Sequence, residues 1–331
     1  MNANLLKFTD YKKTIKLNIK PICLNLGECN GLGDLISATP TIKKLHDSYE
    51  KKIYVLSKVP ELFKNNPYVE KSYKISSMDM GYFNEHFIMH NSFYNVGKKH
   101  LSGIEYKHNV IDIRQFHAIH LGFTLAKDEM ECFYQPTEPC KFNIPYEKYV
   151  VIHPVTTWEN RTWDAIKWMQ LTKMLNDDGV SVISIGKDSS EKGFFNVDKP
   201  VFNFDIENGM NLMNQTSISD CYHIINNSVA FVTMDSGLLH LAGTTDTSIL
   251  HLGSSIKPEF RIPYRKGSQS YKHFYICGTC GLECCSNMKY GVKEWGDING
   301  IAPLIKCLEN KETYECHPSV NQVYEILRTL I

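Results

Sequence analysis

Two short runs, far apart in the chain, each join an apolar segment to the beginning of a helical one. Residues 30–34 (Asn-Gly-Leu-Gly-Asp) follow the apolar segment 22–26 and open a helical stretch predicted over 35–49. Residues 235–240 (Asp-Ser-Gly-Leu-Leu-His) follow the apolar segment 229–233 and open a second helix. Backbone N–H groups and the helix dipole at such a junction can hold a phosphate group. The repetition therefore predicts two α/β halves with a ligand between them.

Neither run matches a standard nucleotide-binding fingerprint. Gly31 and Gly33 lack the GxGxxG spacing of the dinucleotide motif, and no P-loop lysine follows them. Glycine before a helix is also common turn chemistry, so each run has a purely structural interpretation when it is taken alone. The combination of the two runs is what favours a ligand site.

The remaining sequence alternates between strand-like and helix-like segments, a pattern typical of parallel sheets covered by helices. At 331 residues the chain is long for a single hydrophobic core, which predicts two domains. Prolines at positions 136, 139 and 145 mark a boundary between them. A new strand begins near Tyr149, and an amphipathic helix is predicted over 319–330.

The charge balance and hydropathy narrow the function classes. Net charge is zero and the pI is about 7.2, so no bulk attraction to nucleic acid is implied. No run of 18 apolar residues and no basic, then apolar, leader is present, which predicts a soluble, cytoplasmic protein without stable membrane insertion. Because arginines are few, four of them become candidates for bidentate anion recognition: Arg114, Arg161, Arg261 and Arg265.

The order and spacing of several motifs resemble glycosyltransferase family 9, the family of the ADP-heptose:lipopolysaccharide heptosyltransferases. The resemblance covers roughly residues 20–331. The motifs that carry it are Trp168 and the segments 32–40, 66–69, 153–154, 161–163, 185–186 and 233–243.

This resemblance implies the GT-B architecture, an α/β fold in which two Rossmann-like domains face each other across a cleft. We expect an N-terminal, acceptor-side domain over 1–140 and a C-terminal, nucleotide-sugar-binding domain over 146–316. The helix within 317–331 is expected to pack back on the N-terminal domain.

The resemblance also implies roles for individual residues. Asp34 matches the catalytic aspartate, and Asn30 and Gly33 lie on the acceptor side. Arg161 stands where the family has a lysine, which keeps the charge and adds a fork of donors. The expected donor-binding residues are Thr156, Thr157, Arg161, Gly186, Asp235, Ser236, Gly237 and His240.

Three of these residues have structural alternatives. Asp34 stands where an N-terminal helix cap is common. His240 can be a packed histidine in an apolar helix, although i and i+4 spacing puts it on the same face as Ser236. Asp235 can hold its loop by hydrogen bonds instead of meeting the donor.

The predicted function is a metal-independent, inverting glycosyltransferase. Nucleotide-diphosphate sugar is the donor substrate, no cofactor is required, and a lipopolysaccharide-type saccharide or glycolipid is the default acceptor. Cations and N–H groups would stabilise the departing diphosphate while a carboxylate takes the acceptor proton. One alternative is a phage-type enzyme that glycosylates hydroxymethylated DNA bases. Another is an inactive GT-B protein that binds nucleotide sugars.

The cysteines near the C-terminus form the densest cluster of metal-binding residue types. Their spacing lacks a clean second CxxC pair, so a structural zinc site, disulfides and unlinked thiols all stay open. The candidate zinc ligands are Cys277, Cys280, Cys284, Cys285 and Cys307.

Overall fold

The described part of the chain forms two parallel β-sheets, one on each side of the proline-containing segment 135–146. The computed structural model describes residues 20–27, 29, 31–92, 112–156, 161–187, 204–254, 256–266, 272–280 and 314–331. The α/β prediction is confirmed, whereas the exact domain limits stay a prediction.

The first sheet has four strands in the order β3-β2-β1-β4, all parallel. Its strands are β1 (Ile22–Asn25), β2 (Ile53–Ser57), β3 (Val69–Lys74) and β4 (Ile88–Asn91). The helices of this part are α1 (Leu32–Ser37), α2 (Thr39–Tyr49), α3 (Met80–His86) and α4 (Ile113–His120). Short 3₁₀ turns occur at Pro60–Phe63, Ile75–Ser77 and Lys127–Glu129.

The second sheet has six parallel strands in the order β10-β9-β8-β5-β6-β7. Its strands are β5 (Tyr149–His153), β6 (Ser181–Ser184), β7 (Gly209–Asn211), β8 (Ala230–Thr233), β9 (Ser248–Leu252) and β10 (His273–Ile276). The helices are α5 (Ala165–Asp177), α6 (Ile218–Asn226), α7 (Gly237–Ala242) and α8 (Val320–Arg328), with a 3₁₀ turn at Pro258–Phe260.

Both sheets have the strand order of a doubly wound fold, and this order indicates where a ligand would bind. The direction in which successive strands are added to the sheet reverses between β1 and β4 in the first sheet, and between β5 and β8 in the second. Ligands of such folds bind beyond the carboxyl ends of the strands at these reversal points. The run at 30–34 follows β1, and the run at 235–240 follows β8, so both motifs lie at the expected edges.

The helix predicted over 35–49 is interrupted in the structure. It divides at Ala38 into α1 and α2, and Pro40 occupies the first turn of α2. Proline lacks an N–H group, so it cannot continue the hydrogen-bond ladder of the preceding helix but is well suited to a helix start. The division leaves α1 as a separate six-residue helix after β1.

The C-terminal helix α8 packs on the second sheet, not back on the first, so that expectation was wrong. Val323 and Leu327 of α8 are fully buried in the apolar cluster that also contains Trp168, and α8 lies along α5. The indole Nε1 of Trp163 donates to the carbonyl of Pro318 (2.9 Å), which fixes the chain just before the helix. Among the described residues, no helix is long and apolar enough to cross a bilayer.

Candidate active site

The two glycine-containing runs lie directly against each other. Helix α1 of the first sheet packs on helix α7 of the second. A Cβ placed on Gly33 would come within 2.7 Å of Cδ2 of His240, and one on Gly237 within 2.8 Å of the Leu32 side chain. Such distances leave no room for a larger residue at either glycine. The glycines thus permit close contact between the two halves.

Asp34 is the third residue of α1, and its side chain is half-buried. Its Oδ2 accepts a hydrogen bond from the backbone N–H of the N-cap residue Gly31 (3.2 Å). Asp34 is therefore not itself the N-cap, which was the alternative considered from sequence, but the third helical residue, whose side chain reaches back to the cap. The next residue back in the chain, Gly33, touches His240. The helix that carries Asp34 therefore packs against the helix that carries the second motif.

A chain of polar side chains connects β5 to the start of α7. Nδ1 of His153, at the end of β5, lies 3.1 Å from the hydroxyl of Thr233, which lies 3.1 Å from the Ser236 hydroxyl. Ser236 is the N-cap of α7, where its Oγ accepts from the N–H of Leu239 (3.3 Å). Burial lowers the pKa of His153 to about 4, so this imidazole is neutral near pH 7.

Asp235 is buried between two arginines. Its Oδ2 lies 2.9 Å from Nη1 of Arg161 and 3.5 Å from Nε of Arg261. Burial alone would raise the pKa of this carboxyl, but Arg161, Arg261 and the hydrogen bond hold it well below its usual range. An ionised carboxylate repels a diphosphate, so the geometry favours Asp235 as the group that orients the two guanidinium groups.

His240 does not carry the positive charge that a cation beside the departing diphosphate would need. Burial lowers its pKa to about 3, although the charge of Asp235 opposes this shift, and Arg114 and Arg261 add to it. The ring is therefore neutral near pH 7 and can offer a hydrogen bond instead of a full charge. Its Nδ1 has no hydrogen-bond partner in the part of the chain that is described.

Thr156 and Gly186 lie at the carboxyl edge of the second sheet. The Thr156 hydroxyl donates to the carbonyl of Arg161 (3.0 Å) and lies 2.9 Å from the Thr162 hydroxyl, so it braces the segment carrying Arg161. Gly186 has a φ of +130°, and a Cβ there would come within 2.6 Å of the His153 ring. Only glycine meets both constraints. Asn30 and Thr157 lie outside the described residues.

The other two candidate arginines have structural partners. Arg114 is buried and donates from Nε to Oδ1 of Asp112 (2.7 Å), with a second bond from Nη2 to Oδ2. Arg265 donates from Nη1 to the carbonyl of Thr247 (2.8 Å) and from Nη2 to that of Ala242, at the end of α7. Of the four arginines, Arg161 and Arg261 are thus the pair whose guanidinium groups lie beside Asp235 of the run at 235–240.

His117 is a residue of this region that the sequence analysis missed. It lies on α4, and its Nε2 donates to the backbone carbonyl of Asp34 (2.9 Å), 83 positions away in the chain. No local sequence signal distinguishes it from an ordinary core histidine, because its partner is set by the tertiary fold.

The comparisons with known proteins identify the family and the fold. The sequence profile of glycosyltransferase family 9 (heptosyltransferase) matches residues 80–290, which is more than half of the chain. The chain belongs to glycosyltransferase family 9. The match begins after the run at 30–34, so it covers the run at 235–240 but not Asp34. None of the curated proteins compared with the chain matches it significantly.

Solved structures of family 9 enzymes share the fold. The iron-containing dodecameric glycosyltransferase TibC from enterotoxigenic Escherichia coli H10407 aligns with a TM-score of 0.67 and 14% identity, over 96% of this chain and 77% of TibC. A family 9 glycosyltransferase from Veillonella parvula DSM 2008 aligns with a TM-score of 0.61 and 15% identity, over 96% of this chain and 98% of that enzyme. The E. coli ADP-heptose LPS heptosyltransferase II aligns with a TM-score of 0.52 and 14% identity, over 79% of this chain and 92% of that enzyme. The chain is a glycosyltransferase with a GT-B-like α/β fold.

The cysteine cluster of this family 9 enzyme is described only in part. Cys277 and Cys280 are free thiols, and backbone hydrogen bonds from Gly278 and Cys280 join their segment to Cys316 and Glu315. Cys284, Cys285 and Cys307 lie outside the described residues. Within the described ranges, no three histidine, cysteine or acidic side chains are placed to hold a metal ion.

Proposed function

We propose that this family 9 enzyme transfers a sugar from a nucleotide-diphosphate sugar to a saccharide hydroxyl, with inversion and without a catalytic metal. The observation that carries the proposal is the contact of Gly33 with His240. It supports the proposal because it packs α1, the helix that carries Asp34, against a motif that is flanked by two oriented guanidinium groups. A base for the acceptor and cations for the leaving group are thus adjacent, as a single displacement requires.

The donor diphosphate is assigned to the space beside Arg161, Ser236 and His240. Arg161 is fixed by its ion pair with Asp235, and its guanidinium is suited to bidentate contact with phosphate oxygens. His240 adds a neutral N–H donor. A TibC complex contains ADP-D-β-D-heptose, so an ADP-linked heptose is the first donor that we would test.

The transfer step follows from this placement. The acceptor oxygen attacks the anomeric carbon of the donor sugar while its proton passes to a carboxylate oxygen of Asp34. The bond from the anomeric carbon to the phosphate oxygen breaks, and its electron pair leaves with the nucleoside diphosphate. Arg161 and the His240 N–H stabilise the charge that grows on that oxygen. One displacement of this kind inverts the anomeric configuration.

A donor and acceptor screen tests the proposal. Purified enzyme is incubated with ADP-, UDP- and GDP-linked sugars, nucleoside diphosphate release is followed, and the anomeric configuration of the product is read by NMR. Lipopolysaccharide core saccharides and hydroxymethylated DNA serve as parallel acceptors. Transfer to a saccharide with inversion supports the proposal. Retention of configuration would contradict it, and transfer to DNA alone would identify the alternative acceptor.

A further inference from the structure

A buried pair of side chains, Ser92 and His117, is tied to the backbone of Asp34. The Ser92 hydroxyl lies 2.7 Å from Nδ1 of His117, and Nε2 of His117 lies 2.9 Å from the carbonyl oxygen of Asp34. Ser92 is 1% exposed and His117 is 0% exposed, so water does not compete for these hydrogen bonds. Both residues lie outside the two glycine-containing runs.

The hydrogen-bond partners and burial together fix the tautomer of His117. A carbonyl oxygen can only accept, so Nε2 carries a proton, and in the neutral ring Nδ1 accepts from the Ser92 hydroxyl. Burial lowers the pKa of His117 to about 4, which keeps the ring neutral near pH 7. The ring therefore has one tautomer and a directional bond at each nitrogen.

The other end of this link is anchored in the first sheet. The N–H of Ser92, which directly follows β4, donates to the carbonyl of Asn25 at the end of β1 (3.1 Å). The link thus runs from the reversal point of the sheet through Ser92 and His117 to α1. Helix α4, which carries His117, also packs on α1 and α2.

Helix α1 does not need this bond for its own ladder. The Asp34 carbonyl already accepts from the N–H of Ala38 (3.1 Å). The bond from His117 is additional and comes from the side, so it restrains the position of α1 instead of completing it. Such a restraint matters here because α1 has only six residues and is divided from α2 at Ala38.

We propose that His117, oriented by Ser92, is a positioning residue for sugar transfer. It holds α1 so that Gly33 stays against His240 and the Asp34 carboxylate stays at the acceptor hydroxyl. This inference depends on the proposed function, because it assigns His117 its effect through Asp34. A displacement of a catalytic group by about 1 Å can cost about 10²-fold in rate.

Three variants test the link. His117→Leu fills the space without either hydrogen bond, His117→Gln keeps one N–H donor and one acceptor on a side chain of similar reach, and Ser92→Ala releases only the orienting bond. His120→Gln is the matched control, since His120 lies on the same helix but bonds to the carbonyl of Phe116. Each is assayed for kcat, for the KM of both substrates, for nucleoside diphosphate Kd and for Tm.

We expect His117→Leu to lower kcat by about 10²-fold with an unchanged nucleoside diphosphate Kd. Ser92→Ala should lower kcat less, His117→Gln should recover most of it, and His120→Gln should match the wild type. If His117→Leu keeps the wild-type kcat, or if Gln fails to restore it in a folded protein, the positioning role is wrong. If His117→Leu does not fold, the other two variants decide. A wild-type kcat in Ser92→Ala, or a folded His117→Gln enzyme that fails to keep most of the wild-type kcat, then shows that the positioning role is wrong.

The failure of the proposed function is visible separately. If the wild-type enzyme transfers no sugar, or if Asp34→Asn transfers at the wild-type rate, then the proposed reaction is wrong and His117 has no catalytic group to position. If the wild type is active and Asp34→Asn is inactive, a normal kcat in all His117 and Ser92 variants overturns the positioning role alone.

Discussion

Replacing Gly33 by alanine tests the contact between the two halves of the enzyme. The added methyl group would come within 2.7 Å of Cδ2 of His240 and 3.3 Å of the Gly237 Cα. The first distance is too short for any packed carbon pair, and His240 is buried, so its ring has little room to move. Overpacking of this kind costs about 1–3 kcal/mol.

A second effect of the same substitution has the opposite sign. Gly33 lies inside α1, and alanine in a helix is favoured over glycine by about 1 kcal/mol. The clash is the larger contribution, so we expect the free energy of unfolding to fall by about 1 kcal/mol. Transfer should fall much further, since relief of the clash must move either α1 with Asp34 or the ring of His240.

Urea unfolding and the rate of nucleoside diphosphate release measure the two effects. Gly81→Ala is the control, because Gly81 lies in α3 and its nearest neighbour for a new Cβ is the Asp79 side chain at 3.1 Å. When His240 is already alanine, the ring that clashes is gone, so adding Gly33→Ala to His240→Ala should cause no further loss of stability from the clash. A Gly33→Ala enzyme with wild-type stability and wild-type transfer would refute the reasoning.

Three further predictions follow from the site. Arg161→Ala should weaken nucleoside diphosphate binding by about 1.5–3 kcal/mol, whereas Arg161→Lys should retain part of the lost binding energy. Calorimetric titration measures both affinities, and wild-type affinity in both variants would place the diphosphate elsewhere. Transfer should persist in EDTA, and a loss that Mg²⁺ or Mn²⁺ restores would show that the metal-free mechanism is wrong. The free energy of unfolding should fall as the pH decreases from 6.5 to about 4, because the folded-state pKa values of His117 and His153 lie near 4 and the unfolded chain takes up protons first. Each contributes up to about 3 kcal/mol, and urea unfolding that is unchanged over this range contradicts the assignment.

The parts of the fold that sequence predicts are those set by local pattern. The apolar segments 22–26, 149–153 and 229–233 correspond to the strands β1, β5 and β8 of the structure. The break at Ala38 is visible in hindsight from Pro40, which suits a helix start better than a helix interior. The docking of α8 on α5 was not predictable, since an amphipathic face shows that a helix packs but not on what.

The candidate site divides in the same way. The glycines, Asp34 and Arg161 lie in runs that resemble family 9 motifs, and that resemblance singled them out as candidates. Their pairings were not visible: the contact of Gly33 with His240 joins residues from the two sheets. The neutral state of His240 and the ionised state of Asp235 depend on burial and on Arg261, neither of which is encoded locally.

The most direct test of the account compares the wild-type enzyme with Asp34→Asn. Asparagine keeps an oxygen that can accept from the Gly31 N–H, so the helix cap survives while the proton acceptor is lost. We predict a fall in the transfer rate of about 10²–10⁴-fold, with nucleoside diphosphate affinity and Tm unchanged. Transfer by Asp34→Asn at the wild-type rate would contradict the assignment of Asp34 as the base, and with it the placement of catalysis at the contact between α1 and α7.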